Sequence, residues 1–221
     1  MASLLAPAFL MIALLGDGPF GFNEVPSVPA NGDQKVPDIW TLTLKYRSPR
    51  YIMVDVPGQG RKLIWYMRYA IINETGKPRQ VIPKFTLVTD KGDIFEDMVL
   101  PSAQKAVILR EDPTIQLHNS VTISRNDVPV TPTDGKPIEI HGVAFWDGGE
   151  KLMSARSFDI FVTGLSNGYV KVEDKENAGD DAKDANMHRK ALRLPFSKPG
   201  DIYNPDSKEI RIAGPPSWLY R

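Results

Sequence analysis

The sequence predicts an all-β chain, an antiparallel β-sandwich with one short helix and an additional pair of strands near the C-terminus. Three observations predict it. Apolar and β-branched residues recur at period two in short runs. Gly, Pro, Asn and Asp clusters punctuate those runs. The 19 prolines are spread through all 221 residues, which opposes long helices. A barrel is the alternative architecture.

The chain divides by composition. Residues 1–30 read as a signal peptide or flexible leader, because Leu4 to Leu15 is an uncharged apolar run too short to span a bilayer. Val28-Pro29-Ala30 is the best small-x-small cleavage site. Residues 31–37 read as a linker, 38–172 as the sandwich, 173–187 as a mobile acidic loop and 188–221 as strands packed on the sandwich.

Each element has its own signal. Ile39 to Tyr46 is rich in β-branched and aromatic residues, and Ser48-Pro49 breaks it. Tyr51 to Val56 is a second strand, ended by Pro57-Gly58-Gln59-Gly60. Lys62 to Asn73 places Leu63, Trp65, Met67, Tyr69 and Ile71 on one face, with Ile64, Tyr66, Arg68, Ala70 and Ile72 on the other. A strand apolar on both faces is central or covered by another element, and Arg68 then needs a partner or an open end. Val81 to Thr89 and Ile94 to Val99 flank the turn Asp90-Lys91-Gly92-Asp93. Pro101 to Arg110 has helical spacing with Pro at its start. Ile115 to Ser124 resumes strand alternation, interrupted by Asn119. Ile138 to Trp146 and Phe158 to Thr163 are further apolar strands, with Tyr169 to Val172 a short one. Ala191 to Phe196 and Ile210 to Ile212 form the last pair, and the tail Trp218 to Arg221 reads as docked.

Two blocks carry a resemblance. Tyr69 to Phe95 (YAIINETGKPRQVIPKFTLVTDKGDIF) is similar to bacterial extracytoplasmic immunoglobulin-like domains. The second block joins Gly142 to Asp147, Phe158 to Gly168, Phe196 to Asp201, Glu209 to Arg211 and Trp218 to Arg221. It resembles uncharacterised exported immunoglobulin-like β-sandwich proteins of planctomycete-type bacteria. The resemblance implies an immunoglobulin-like sandwich and an extracytoplasmic location, in periplasm or cell envelope, and carries no catalytic motif.

Composition excludes several functions. Lys plus Arg and Asp plus Glu are both 27, so no overall basic excess marks a nucleic-acid binder. The absence of cysteine removes disulfides, thiol catalysis and Cys-ligated metals. There is no G-x-S-x-G elbow and no Walker-type loop. His118, His141 and His188 lie too far apart in sequence for a local metal motif. The expectation is no catalytic residue and no cofactor. The candidate binding residues are Trp65, Arg68, Trp146 and Asp147, as an aromatic platform with polar neighbours. The candidate metal ligands are Asp180, Asp181 and Asp184, which could offer oxygens to a divalent cation.

The reading these features favour is a non-catalytic interaction or structural module of the cell envelope. Its expected partner is another envelope protein or a second copy, not nucleic acid, with no transmembrane span in the mature chain. The alternatives are an envelope hydrolase using carboxylates on glycan or peptide, and a divalent-metal binding module.

Overall fold

A computed structural model describes residues 21–27, 39–171, 187–198 and 210–221. The apolar run of the leader, the cleavage site, the acidic loop and the turn at residues 199–206 lie outside the described residues.

The described chain is mostly antiparallel β-structure in two sheets, compatible with a sandwich. The first sheet contains β1 (Asn23–Val25), β2 (Thr43–Tyr46), β4 (Gly60–Ile72) and β3 (Arg50–Val56) in that order, and β7 (Ile140–Trp146) pairs with β4 as well. The second sheet runs β11 (Arg211–Ile212), β10 (Met187–Ser197), β8 (Ser157–Thr163), β5 (Lys84–Thr89) and β6 (Ile94–Glu96). Two short strands, β9 (Tyr169–Lys171) and β12 (Ser217–Tyr220), also pair with β10. The C-terminal strands therefore belong to the second sheet itself, and the aromatic tail is docked as β12.

Alternation along β4 builds the core. Trp65, Met67, Tyr69 and Ile71 face the second sheet and are fully buried. They meet Phe85 and Leu87 of β5, Phe158, Ile160 and Val162 of β8, and Leu192, Leu194 and Phe196 of β10. The ring of Trp65 meets Phe158 edge-on at 5.9 Å, and Tyr69 lies 4.5 Å from Phe85. Gly142 on β7 makes room for Tyr69, because a Cβ there would stand 2.3 Å from the phenol carbon Cζ.

The outer face of the same strand is covered by a helix. α1 (Pro101–Glu111) starts with Pro at its first turn, where the missing N–H costs nothing. Its Ala103 and Val107 pack on Ile64 and Tyr66 of β4, Val54 of β3 and Val143 and Phe145 of β7. This second apolar cluster explains why β4 is apolar on both sides. At the other end of the helix the chain passes from β6 to the first sheet through Asp97. Its carboxylate accepts the Phe145 backbone N–H at 2.9 Å, while Met98 N–H donates to the Phe145 carbonyl.

Two short helices depart from the sequence reading. The span from Ile115 to Ser124, expected as a strand, holds α2 (Ser120–Ile123). Asn119, which interrupts the alternation, is its N-cap: the side chain accepts from the Val121 and Thr122 backbones, and the Thr122 hydroxyl accepts from Asn119 N–H. The second is α3 (Gly149–Ser154), in a stretch after β7 to which the sequence assigns no element. The strand β1 falls in the range read as leader and pairs with β2, with Val25 buried.

Candidate functional site

The outer face of the first sheet changes character where α1 ends. Under the helix lie Ile64, Tyr66, Val143 and Phe145. One register step further along β4 stands Arg68, opposite Val143, and the next pair is Ala70 and His141. On the other side of β4, Lys45 is opposite Ala70, and the Arg47 N–H donates to the Arg68 carbonyl. Strand alternation thus brings Lys45, Arg47, Arg68 and His141 to one exposed end of the sheet, with Arg50 at the start of β3 beside them.

Glu111, the last residue of α1, sits over this end with its side chain 4% exposed. One carboxylate oxygen accepts from Tyr66 Oη at 2.7 Å and Arg50 Nη1 at 3.0 Å. The other accepts from Arg47 Nη1 at 3.1 Å and Arg68 Nη1 at 3.3 Å. A carboxylate has about four lone-pair sites, so Glu111 is saturated. Burial alone would raise its carboxyl, but the Tyr66 hydroxyl and the Arg50 and Arg68 guanidiniums outweigh that and hold it below the ordinary range. Burial, reinforced by the hydrogen bond to Glu111, pushes the Tyr66 hydroxyl up to about 12, so it stays a donor.

Three guanidiniums face one carboxylate, and the Arg68 side chain is only 3% exposed. The Nε atoms of Arg47 and Arg68 are buried and have no hydrogen-bond acceptor among the described residues. An unsatisfied buried donor costs about 1–3 kcal/mol. Burial, and next the neighbouring Arg68, lower the Arg47 guanidinium from its ordinary value. Phe22, ahead of β1, lays its ring 4.6 Å from the Arg47 guanidinium carbon and 5.7 Å from that of Arg68. The same ring is 6.1 Å from His141. Nearby, Lys45 is answered by Glu139 at 2.9 Å and Glu24 at 3.4 Å. His141 lies 3.6 Å from Glu139 through Nε2, and its Nδ1 has no partner among the described residues. Burial pulls the imidazole below its ordinary value, and the cations Arg68, Arg47 and Lys45 add to that against Glu139.

No family model, curated protein or solved structure matches this chain. The site is therefore read from its own chemistry.

The residues expected from sequence fall in three places. Trp65 and Trp146 are brought together, as directly paired residues of β4 and β7, and both are fully buried on the inner face. Trp146 donates through Nε1 to the Phe85 carbonyl at 3.3 Å. Arg68 is on the opposite face of β4 from these rings, in the Glu111 cluster. Asp147 pairs with Lys62 at 2.7 Å, both about one-third exposed. Asp180, Asp181 and Asp184 lie outside the described residues. Among the described residues no group of three His, Asp or Glu is placed to hold a metal ion, and no helix is long and apolar enough to cross a membrane.

Arg68's need for a partner is legible in the sequence, whereas Glu111, Tyr66, Phe22 and His141 as its neighbours are not. One signal points to Glu111. A carboxylate in the last turn of a helix opposes the helix dipole, so an acid at that position needs cations from elsewhere. The basic bias of the early chain covers Lys45, Arg47, Arg50, Arg61, Lys62 and Arg68, and does not by itself single out the cations that meet Glu111.

Proposed function

We propose that this chain is a non-catalytic interaction module of the bacterial cell envelope, exported behind its leader and built on an immunoglobulin-like sandwich. One observation carries the interaction role. Among the described residues β3 pairs with β4 alone, and Met53 at its middle is 47% exposed. Arg110 Nη1 already donates to the Tyr51 carbonyl at 3.0 Å, so a strand would add along the stretch of this edge that follows Tyr51. The cluster around Glu111 begins at the same strand, with Arg50, so the edge and the charged corner form one continuous surface. The immunoglobulin-like part of the reading is supported by the connections, since β4 to β5 and β6 to β7 both pass from one sheet to the other. The expected partner is another envelope protein or a second copy.

The test is an in-cell crosslinked pull-down of the C-terminally tagged chain, read by mass spectrometry from the envelope fraction. The expected result is a stoichiometric partner that is lost in Met53→Lys, a change that places charge on the edge without touching the core. Recovery of the chain alone, or from cytoplasm with Met1 intact, overturns the reading.

A further inference from the structure

We propose that Arg47 and Arg68, with Arg50 beside them, form a binding site for a small oxyanion, a carboxylate or phosphate group, on the outer face of the first sheet beneath Phe22. The inference deepens the interaction role and rests on it for context, while its chemistry stands on the cluster alone.

A guanidinium presents five N–H groups in a rigid fork that matches an oxyanion. Each of the three arginines gives Glu111 one Nη1 bond. Glu111 is saturated and accepts nothing more. The Nε donors of Arg47 and Arg68 remain buried and without an acceptor among the described residues. Buried polar groups are almost always satisfied, and two orphan donors of one sign side by side mark a place where an acceptor belongs. Charge points the same way, because Arg47 and Arg68 share one carboxylate, that of Glu111. Lys45 adds nothing to this, since Glu139 and Glu24 answer it. Asp112 is within electrostatic reach of Arg68 and Arg47, but it accepts from Thr114 N–H at 2.9 Å and Thr114 Oγ1 at 2.6 Å.

Phe22 explains how the cluster persists without the ligand. The negative face of its ring lies against both guanidiniums, a weaker and non-directional substitute for an oxyanion. It satisfies no Nε–H. The ring is half-buried and is carried by a segment held through the three residues of β1. A ligand with real acceptor oxygens displaces it.

Nuclear magnetic resonance on the full chain tests this, by following the arginine Nε–H signals and the His141 ring. Inorganic phosphate and acetate are titrated separately against chloride at equal ionic strength. The expected result is saturable movement of the Arg47 and Arg68 signals with one oxyanion and not with chloride. Stronger binding of phosphate assigns a phosphoryl ligand, and stronger binding of acetate assigns a carboxylate. The groups facing His141 are Glu139, Arg68, Arg47 and Lys45, and an added anion shifts this balance so that the imidazole titrates at higher pH. Arg47→Lys keeps a charge but removes the Nε donor, and is expected to weaken binding about tenfold. Phe22→Ala is expected to strengthen it severalfold. Signals that move no more with oxyanions than with chloride overturn the site, as does unchanged affinity in Arg47→Lys. Unchanged affinity in Phe22→Ala overturns the cover. Oxyanion binding by a chain that captures no envelope partner leaves this site standing and removes the interaction reading. A captured partner with no oxyanion response does the reverse.

Discussion

The two faces of β4 are held by different forces, although the same thirteen residues build both. On the inner face Trp65, Met67, Tyr69 and Ile71 are sealed by apolar packing against a second sheet. On the outer face apolar residues last as long as α1 covers them and give way to Arg68 at the helix's final residue. A strand can thus carry a buried charge when the element that covers it supplies the counter-charge at its own end. The cost is dependence on one carboxylate, which the inner face does not share.

Removing that carboxylate gives the largest expected effect. Glu111→Gln leaves three crowded guanidiniums with a neutral partner and should cost about 3–5 kcal/mol in urea unfolding. Acid should act in the same direction. The carboxyl is lowered in the folded state, so its stabilisation is present above the unfolded value of 4.5 and fades as pH falls through the folded one. A wild-type chain whose unfolding is no more acid-sensitive than the Gln variant contradicts this account.

On the inner face, Met67→Ala should cost about 2–5 kcal/mol through the cavity it leaves. That loss should be the same at pH 5 and pH 8, because it comes from lost packing and not from charge. A pH-dependent loss would show that the two faces are coupled through β4. Gly142→Ala tests the close approach between them at β7. Its Cβ would meet the Tyr69 ring at 2.3 Å, and overpacking of this kind costs about 1–3 kcal/mol, seen as a fall in the unfolding midpoint.

The smallest effect sharpens the comparison by its sign. Burial raises the Asp97 carboxyl to about 6, against the hydrogen bonds from Phe145, Ser120 and Met98 that lower it. A raised folded value means that the neutral form is favoured in the fold. Stability from this group is fully present below the unfolded 3.8 and falls as pH rises through about 6. Asp97→Asn should therefore gain on the wild type between acid and neutral pH, by about 1–2 kcal/mol. An advantage that does not grow with pH contradicts the burial of Asp97 as its cause. Glu111 and Asp97, at opposite ends of α1, pull the pH profile in opposite directions.

Much of this fold was legible in the sequence, and the reasons for the rest are physical. Period two in β4 gave both faces, and the nearly apolar second face required a covering element, which is α1. Asn119 was legible as an interruption but not as a cap, because its partners are backbone atoms that alternation does not display. α3 begins at Gly149 with no capping side chain to announce it. β1 is three residues long and owes its strand form to pairing with β2, a tertiary cause. The need for a partner at Arg68 was readable from a charge in an apolar run. The identity of that partner was not, since Arg47, Arg50, Tyr66 and Arg68 lie between 43 and 64 residues before Glu111.

The position of Phe22 couples two parts of the first sheet. Its ring stands just ahead of β1, and β1 pairs with β2, which in turn pairs with β4. The cover over Arg47 and Arg68 is therefore only as secure as a three-residue strand pairing, and whatever loosens β1 from β2 bares two charges that sit on other strands.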